Sequence, residues 1–197
     1  MSNDTFFGVQ IAFRRYRDDA SRARLHDIIT RSLADQGLPE KRAFWKNVVA
    51  LLKGNAPHFE YGYWDFIRGE AAEGEFESWS SEIEAGLATE SEEVGAGPDE
   101  VHRLANAIGD PRFVIVSALF LIDGGTNTDR TLGERCDLPE ASYFKQTTFA
   151  RLADSIPLMN FANVRADAVY VAPGSEKDGI TELELREGWP HLKPLER

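Results

Sequence analysis

The sequence predicts an α+β fold with an N-terminal strand, a helical middle and a C-terminal βαβ unit. Three observations support this prediction. Residues 6–16 and 112–122 are rich in Phe, Val, Ile and Leu, as strands are, whereas apolar residues recur at helical spacing through much of the stretch between them. We expect the strands to form a small three- or four-stranded sheet packed by helices.

The length of the chain, 197 residues, suits a single α+β domain covering residues 1–197. We divide it into three parts. One strand and two helices are expected over residues 1–54, an aromatic and acidic helical region over 55–110, and the βαβ unit with a docked tail over 111–197.

The first part contains one strand and two amphipathic helices. The strand is "FFGVQIAFRRY", in which aromatic and β-branched residues dominate. The first helix follows it and ends near Gly37. The second begins near Pro39 and ends near Gly54, since proline favours the first turn of a helix and glycine the position after its end.

An acidic helix is expected from Glu70 to Thr89. Its apolar residues share helical spacing, so they are expected to face the core while glutamates face outward; they are Phe76, Trp79, Ile83 and Leu87. A break follows, and a further short helix is expected to begin at Pro98 and Asp99.

The net charge of −11 is concentrated in this region. Residues 69–100 hold eleven Asp and Glu and neither Lys nor Arg, so the 22 acids elsewhere balance the 22 Lys and Arg. Phosphates would be repelled, which argues against nucleic-acid binding through this segment. A basic protein surface would complement it. The plainer interpretation is a solvated face that keeps the protein soluble.

The last part begins with a continuous apolar run that two glycines end, "RFVIVSALFLIDGG", typical of a strand buried on both faces. A helix is expected over residues 138–157 and a second strand in "RADAVYVAPGS". Strand, helix and strand at this spacing indicate a βαβ unit with a right-handed crossover. A short helix and a docked tail, anchored by Trp189, Leu192 and Leu195, are expected to end the chain.

The stretch "NAPHFEYGYWDFI", residues 55–67, carries an unusual density of aromatic rings. A stacking platform for nucleic acid needs interleaved Lys or Arg, and this stretch has neither. A sugar platform stays open, but packing in the core or at an interface is favoured because each ring can bury about 150–250 Å². We predict a partner-binding surface formed by Tyr61, Tyr63, Trp64, Phe66, Glu73, Glu77 and Glu84.

The loop "LFLIDGGTNTDR" is the strongest candidate for ligand chemistry. It resembles the first phosphate loop of sugar-kinase and actin-like ATPases but is one residue short. Its acidic residues also suggest a calcium-binding site. An ordinary turn explains it as well. The candidate ligand residues are Asp123, Gly124, Gly125, Asn127 and Asp129.

Other chemistries lack sequence support. The lone Cys136 has no neighbouring base, and the four histidines are scattered singly, so we assign no catalytic residue, no metal and no cofactor. A single cysteine favours a reducing compartment. The start of the chain lacks the pattern of a signal peptide, and the longest apolar run is about half the length of a membrane span. We therefore expect a cytoplasmic protein without a membrane role.

Three stretches together resemble the bacterial and chloroplast proteins grouped as domain of unknown function 1517 (DUF1517). They are "ALLKGNAPHFEYGYWDF", "EFESWSSEIEAG", and the part running from "RFVIVSALFLI" to "GWPHLKPL". The resemblance implies an α+β domain without an assigned catalytic centre. Members often carry a membrane segment and a Gly-rich stretch beside this domain, and this chain has neither.

The function expected from the sequence is protein interaction or regulation without catalysis. The acidic helix and the aromatic segment would bind a basic protein partner, and an inhibitor that covers a basic toxin is one version of this. The alternative is an enzyme or ligand-binding protein acting on small molecules near the loop from Asp123 to Asp129. Homo-oligomerisation stays open.

Overall fold

The structure is a computed structural model. It describes residues 3–15, 20–31, 37–94, 112–174 and 179–197. The short helix expected to begin at Pro98 and Asp99 lies outside the described residues.

The described residues form one antiparallel sheet of five strands with helices on both faces. The strands are β1 Asp4–Arg15, β2 Phe59–Arg68, β3 Arg112–Asp123, β4 Val164–Ala172 and β5 Lys193–Pro194, in the spatial order β4-β3-β1-β2-β5. The helices are α1 Ser21–Arg31, α2 Leu38–Asn55, α3 Ala71–Val94, α4 Asn127–Cys136, α5 Gln146–Ala153 and α6 Glu182–Gly188. The α+β fold class is therefore confirmed.

Two details of the expected sheet are wrong. It has five strands rather than three or four, because the aromatic stretch forms β2 and the tail adds β5. The βαβ unit with a right-handed crossover is also absent, since β3 and β4 are antiparallel neighbours and Ile122 pairs with Val164. The connection through α4 and α5 returns to the end of the sheet that it left, so no crossover to the opposite end occurs.

Strand β1 lies in the middle of the sheet and buries both of its faces. Successive side chains point to opposite faces. Phe7 and Val9 point to the face covered by α1, α2, α4 and α5, which we call the α2 face. Phe6 and Ala12 point to the face covered by α3 and α6, which we call the α3 face. Each face has its own hydrophobic core.

Helix α3 packs as its apolar stripe predicts. Trp79 and Ile83 are buried against the sheet, and Phe76 and Leu87 are partly buried beside them. The Trp79 ring meets the Phe6 ring edge-on with centroids 5.2 Å apart. This close approach requires Gly8 on β1, where a Cβ atom would lie 2.8 Å from Cζ3 of Trp79.

The C-terminal tail docks as expected. Thr181 and Glu184 form a capping box that begins α6. Trp189 and Leu192 are buried on the α3 face, and Leu195 packs against the core of the α2 face. Within the described ranges, no helix combines the length and the apolar character needed to span a membrane.

The closest packing between β2 and α5 predicts the effect of one substitution. Gly62 faces Phe149, and a Cβ atom there would lie 2.7 and 2.8 Å from Cζ and Cδ1 of that ring. We expect Gly62→Ala to lower the free energy of unfolding by about 1–3 kcal/mol. Urea denaturation measures this, and in a Phe149→Leu background the added cost should be smaller.

Gly74→Ala is the matched control. Gly74 is exposed on α3 with no atom within 4 Å of its would-be Cβ. Alanine there should stabilise the protein by up to about 1 kcal/mol, because it favours the helix. Equal losses of stability in the two variants would contradict the packing described for Gly62.

Candidate functional site

The aromatic stretch is divided between the two faces of the sheet. Tyr61 and Tyr63 point to the α3 face, where the Tyr63 ring lies 5.5 Å from Trp79 and 5.6 Å from His191 between centroids. Trp64 and Phe66 point to the α2 face. This division arises because successive side chains along a strand point to opposite faces of the sheet. These four rings therefore do not form one surface.

A groove of about 700 Å³ lies on the α2 face between the outer part of β2, helix α4 and the segment at residues 143–144. Four aromatic rings, two guanidinium groups and three carboxylates contribute to its walls. The lining residues are Trp64, Asp65, Phe66, Arg68, Arg130, Gly133, Glu134, Cys136, Asp137, Tyr143 and Phe144.

Contacts among the lining side chains hold the groove in shape. The indole N–H of Trp64 donates to the Tyr143 carbonyl oxygen at 3.1 Å, and the two rings meet edge-on at 5.4 Å. The Arg68 guanidinium carbon lies 4.8 Å from the centre of the Phe66 ring, which is a cation–π contact. The rings of Trp64 and Phe66 stay partly exposed to the groove.

Cys136 lines the groove but is poorly suited to nucleophilic chemistry. Its side chain is buried, and burial raises the pKa of the thiol to about 12. At neutral pH it is therefore almost entirely protonated, whereas the thiolate is the reactive form.

The loop from Asp123 to Asp129 leads into α4, and Asp129 lies within the helix rather than in a loop. Its carboxylate accepts from Arg68 Nε at 2.8 Å, from the Gly125 backbone N–H at 2.9 Å and from the Thr5 hydroxyl at 3.0 Å. Burial alone would raise the pKa of Asp129, but these donors outweigh it and hold the pKa below its ordinary value. The carboxylate is engaged by protein donors.

The other members of the candidate ligand loop have structural roles. Asp123 ends β3, and Gly125 adopts a φ of 73°, which favours glycine. Thr126 caps α4, and the Asn127 side chain accepts from Arg130. In the part of the chain that the structure describes, no group of three or more His, Cys, Asp or Glu side chains is placed to hold a metal ion.

Four exposed glutamates form a stripe along one flank of α3. Glu70 immediately precedes the helix, and Glu73, Glu77 and Glu84 follow at spacings of three, four and seven residues, which keep them on one side. We call these four residues the glutamate stripe. Arg165 Nη2 lies 3.8 Å from Glu73, and the Tyr170 hydroxyl donates to Glu84 at 2.8 Å.

The glutamate stripe therefore runs beside β4. From Glu73 to Glu84 the helix rises about 16 Å, and from Arg165 to Tyr170 the strand spans about the same length. Strand β4 lies at one end of the sheet, and β2 lies near the other. The structure thus brings Glu73, Glu77 and Glu84 together but separates them from Trp64 and Phe66.

A buried polar chain crosses the core of the α3 face. The Gln10 side-chain amide donates to the Ser117 hydroxyl at 3.1 Å, and its oxygen lies 2.6 Å from Nε2 of His191. Amide oxygen only accepts, so His191 Nε2 carries the proton. Burial lowers the pKa of His191; Glu82 opposes this shift and Lys193 adds to it.

Sequence reasoning missed part of the groove. Arg68 stands two residues beyond Phe66, so strand alternation would have placed it on the same face as Trp64 and Phe66. Tyr143 and Phe144 come from a distant part of the chain, and no local pattern connects them with β2. The burial of Asp129 likewise depends on Arg68 and Thr5.

Comparison of the chain with protein-family models, curated proteins and solved structures found no match. The resemblance to the DUF1517 proteins stays a prediction.

The engaged carboxylate of Asp129 predicts a pH-dependent contribution to stability. Asp129→Ala leaves the buried Thr5 hydroxyl and the Gly125 N–H without their acceptor, so the free energy of unfolding at pH 7 should fall by about 2 kcal/mol. Because the folded-state pKa is lowered, the wild-type advantage exists above about pH 4 and is lost as the pH falls further. Urea denaturation at several pH values measures it. Asp137→Ala, at an exposed position, is the control, and equal effects of the two substitutions would contradict this role.

The partly buried His191 predicts a second pH dependence. Its pKa in the folded protein lies below the value of about 6.5 that an unfolded chain has, so unfolding favours proton uptake. Stability should therefore be complete above about pH 6.5 and fall by at most about 1.4 kcal/mol per pH unit below it. In His191→Gln this part of the slope should be absent. An identical slope in the two proteins between pH 5 and 7 would contradict the assignment.

Proposed function

We propose that the protein is a non-enzymatic cytoplasmic interaction protein that binds a basic partner protein through the glutamate stripe of α3. One observation carries the proposal. Glu70, Glu73, Glu77 and Glu84 are exposed on one flank of a helix whose own segment, residues 69–100, holds no Lys or Arg. Among the described residues, the ion pair recorded for this stripe is that of Arg165 with Glu73, at 3.8 Å.

The helix that carries the glutamates is packed against the sheet. Trp79 and Ile83 fix the underside of α3 to the sheet, so the carboxylates are carried at set intervals. Glu73 and Glu77 are about 6 Å apart along the helix axis. When a partner presents Lys or Arg at matching intervals, this protein therefore loses little backbone freedom on binding it.

The electrostatics favour a basic protein. The chain carries a net charge of −11, and the acidic segment accounts for all of it. A field of one sign speeds the approach of an oppositely charged partner and repels nucleic acid. The interaction is expected to be strong at low salt and weak at high salt, since exposed charges are screened beyond about 8 Å at physiological ionic strength.

The proposed binding surface contains only some of the residues that the sequence predicts for a partner surface. Glu73, Glu77 and Glu84 belong to it. Tyr63 is partly covered by Trp79 and His191, and the rings of Trp64 and Phe66 lie on the opposite face of the sheet.

An enzyme acting near the Asp123–Asp129 loop is the less favoured candidate. The Asp129 carboxylate of this loop is already bound by Arg68, Thr5 and Gly125, and the nearby Cys136 thiol is protonated at neutral pH. Among the described residues, no contact of this loop favours a reaction.

The proposal predicts charge-dependent capture of a partner. The triple variant Glu73→Gln, Glu77→Gln and Glu84→Gln should lower recovery of the specific partner from native lysate at least about tenfold, because three adjacent charges are removed. Recovery by the wild type should also fall steeply between about 50 and 500 mM salt. Quantitative mass spectrometry of the captured proteins measures both effects.

The control carries the same change of net charge elsewhere. Glu140, Glu187 and Glu196 are exposed and lie outside α3, and replacing all three with Gln should leave recovery nearly unchanged. Partner recovery that is insensitive to salt, or equal in the two triple variants, would contradict the proposal.

A further inference from the structure

The outer edge of β2 offers backbone hydrogen-bonding groups beyond the point where β5 ends. β5 pairs with β2 only at Tyr61 and Gly62. The Glu60 carbonyl accepts from the Leu195 N–H at 2.8 Å, so the backbone groups of Glu60 point outward. In an antiparallel ladder the direction alternates with every residue. The N–H and C=O groups of Gly62, Trp64 and Phe66 therefore also point to this edge.

The Phe66 N–H confirms that direction. It donates to the side-chain carboxylate of Asp65 at 2.7 Å, instead of to a neighbouring strand. Within the described ranges, no strand pairs with Trp64 or Phe66 on the outer side. A charged side chain that covers an edge donor is a common protection against unwanted strand pairing. Here the Asp65 carboxylate takes the place of the carbonyl oxygen that a neighbouring strand would supply.

The C-terminal tail already shows how a segment occupies this edge. Lys193 and Pro194 pair antiparallel with β2, and the Glu196 backbone is bonded to Phe144 and Gln146 on its other side. The groove of about 700 Å³ continues from there along Trp64, Asp65 and Phe66. The tail fills the near end of the edge, and the far end opens into the groove.

We propose that this edge and groove bind an extended peptide segment of another protein, which adds to β2 as an antiparallel strand beyond β5. Backbone bonds to Trp64 and Phe66 hold the segment, and its alternate side chains enter the groove. Strand addition of this kind derives affinity from the backbone and specificity from the pockets for alternate side chains.

The groove defines the chemistry of the segment. The partly exposed rings of Trp64, Phe66, Tyr143 and Phe144 accept an apolar or aromatic side chain. The groove carboxylates of Glu134 and Asp137 accept Lys or Arg. Arg68 is neutralised by Asp129 at 2.8 Å, so the acids outnumber the one remaining guanidinium, that of Arg130. The segment therefore carries one apolar anchor and at least one basic residue.

A second copy of this chain is a poor occupant of the same edge. Each copy carries a net charge of −11, and pairing two β2 edges would bring two sets of groove carboxylates together. Like charges placed opposite each other across strands are destabilising. Charge complementarity thus favours a basic peptide over self-association.

The test begins with selection of peptides from a phage library of random dodecapeptides on the wild-type chain of 197 residues. We expect the enriched peptides to combine an aromatic or large aliphatic residue with Lys or Arg. Hydrogen exchange by NMR then locates the binding. In the free protein the amides of Trp64 and Phe66 should exchange faster than those of Tyr63 and Asp65, and a bound peptide should slow Trp64 and Phe66 at least about tenfold.

Two further measurements separate strand addition from loose adsorption. N-methylation of the peptide at every second residue should abolish binding in one register and leave it nearly intact in the other, since only alternate N–H groups face β2. The variant Glu134→Gln with Asp137→Asn should weaken binding about tenfold. The variant Glu77→Gln with Glu84→Gln, with the same charge change on α3, should leave it within about twofold.

These experiments distinguish failure of the edge proposal from failure of the proposal that the glutamate stripe binds a basic partner. Peptides that lose affinity only in the α3 variant would overturn the edge proposal while supporting binding to the stripe. A library that yields no binder, a peptide insensitive to the position of N-methylation, or concentration-dependent self-association that protects Trp64 would also overturn it.

Discussion

The position of β1 at the centre of the sheet is the constraint on which the rest of the structure depends. β1 pairs with β3 along twelve residues and with β2 on its other edge, and both of its faces are buried. Its register decides which side chains enter which core. A shift by one residue would turn Phe7 toward α3 and Gln10 toward α2, because side chains alternate along a strand. The glycine at position 8 and the buried partner of Gln10 fit only the observed register.

The same alternation separates the two surfaces that could bind other proteins. It places Tyr63 against α3 and Trp64 in the groove, although the two residues are adjacent in the sequence. The glutamate stripe lies beside β4, and the groove lies at β2, near the other end of the sheet. One surface presents exposed carboxylates on a packed helix, and the other presents backbone groups beside aromatic rings. They suit different modes of recognition, electrostatic for the stripe and strand addition for the groove.

The elements that could be predicted from the sequence are those in which one local pattern determines the outcome. The apolar run of β3 and the stripe that includes Trp79 and Ile83 depend on burial along their own length, and both were identified. β2 is not recognisable as a strand from the sequence because polar residues and one glycine interrupt its rings. The antiparallel pairing of β3 with β4 depends on the path of residues 124–163, which no local pattern encodes.

The candidate site was less predictable because its parts come from distant segments. The sequence suggests a loop ligand at Asp129, since α4 has few apolar residues and two glycines stand just before its N-cap. Its actual role follows from Arg68 and Thr5, which strand pairing brings beside it. The exposed negative charge of α3 is easier to predict from the sequence. A run of acids without Lys or Arg on an amphipathic helix must expose its charges on the face opposite the core.

The most direct test of the account is whether neighbouring residues of β2 contact opposite faces. A NOESY spectrum of the aromatic rings measures this. The account predicts cross-peaks between Tyr63 and His191 and between Trp64 and Tyr143, whose ring centroids lie 5.6 and 5.4 Å apart. Cross-peaks joining both Tyr63 and Trp64 to the same one of these two partners would contradict the register of β1 with β2, and with it the separation of the two surfaces.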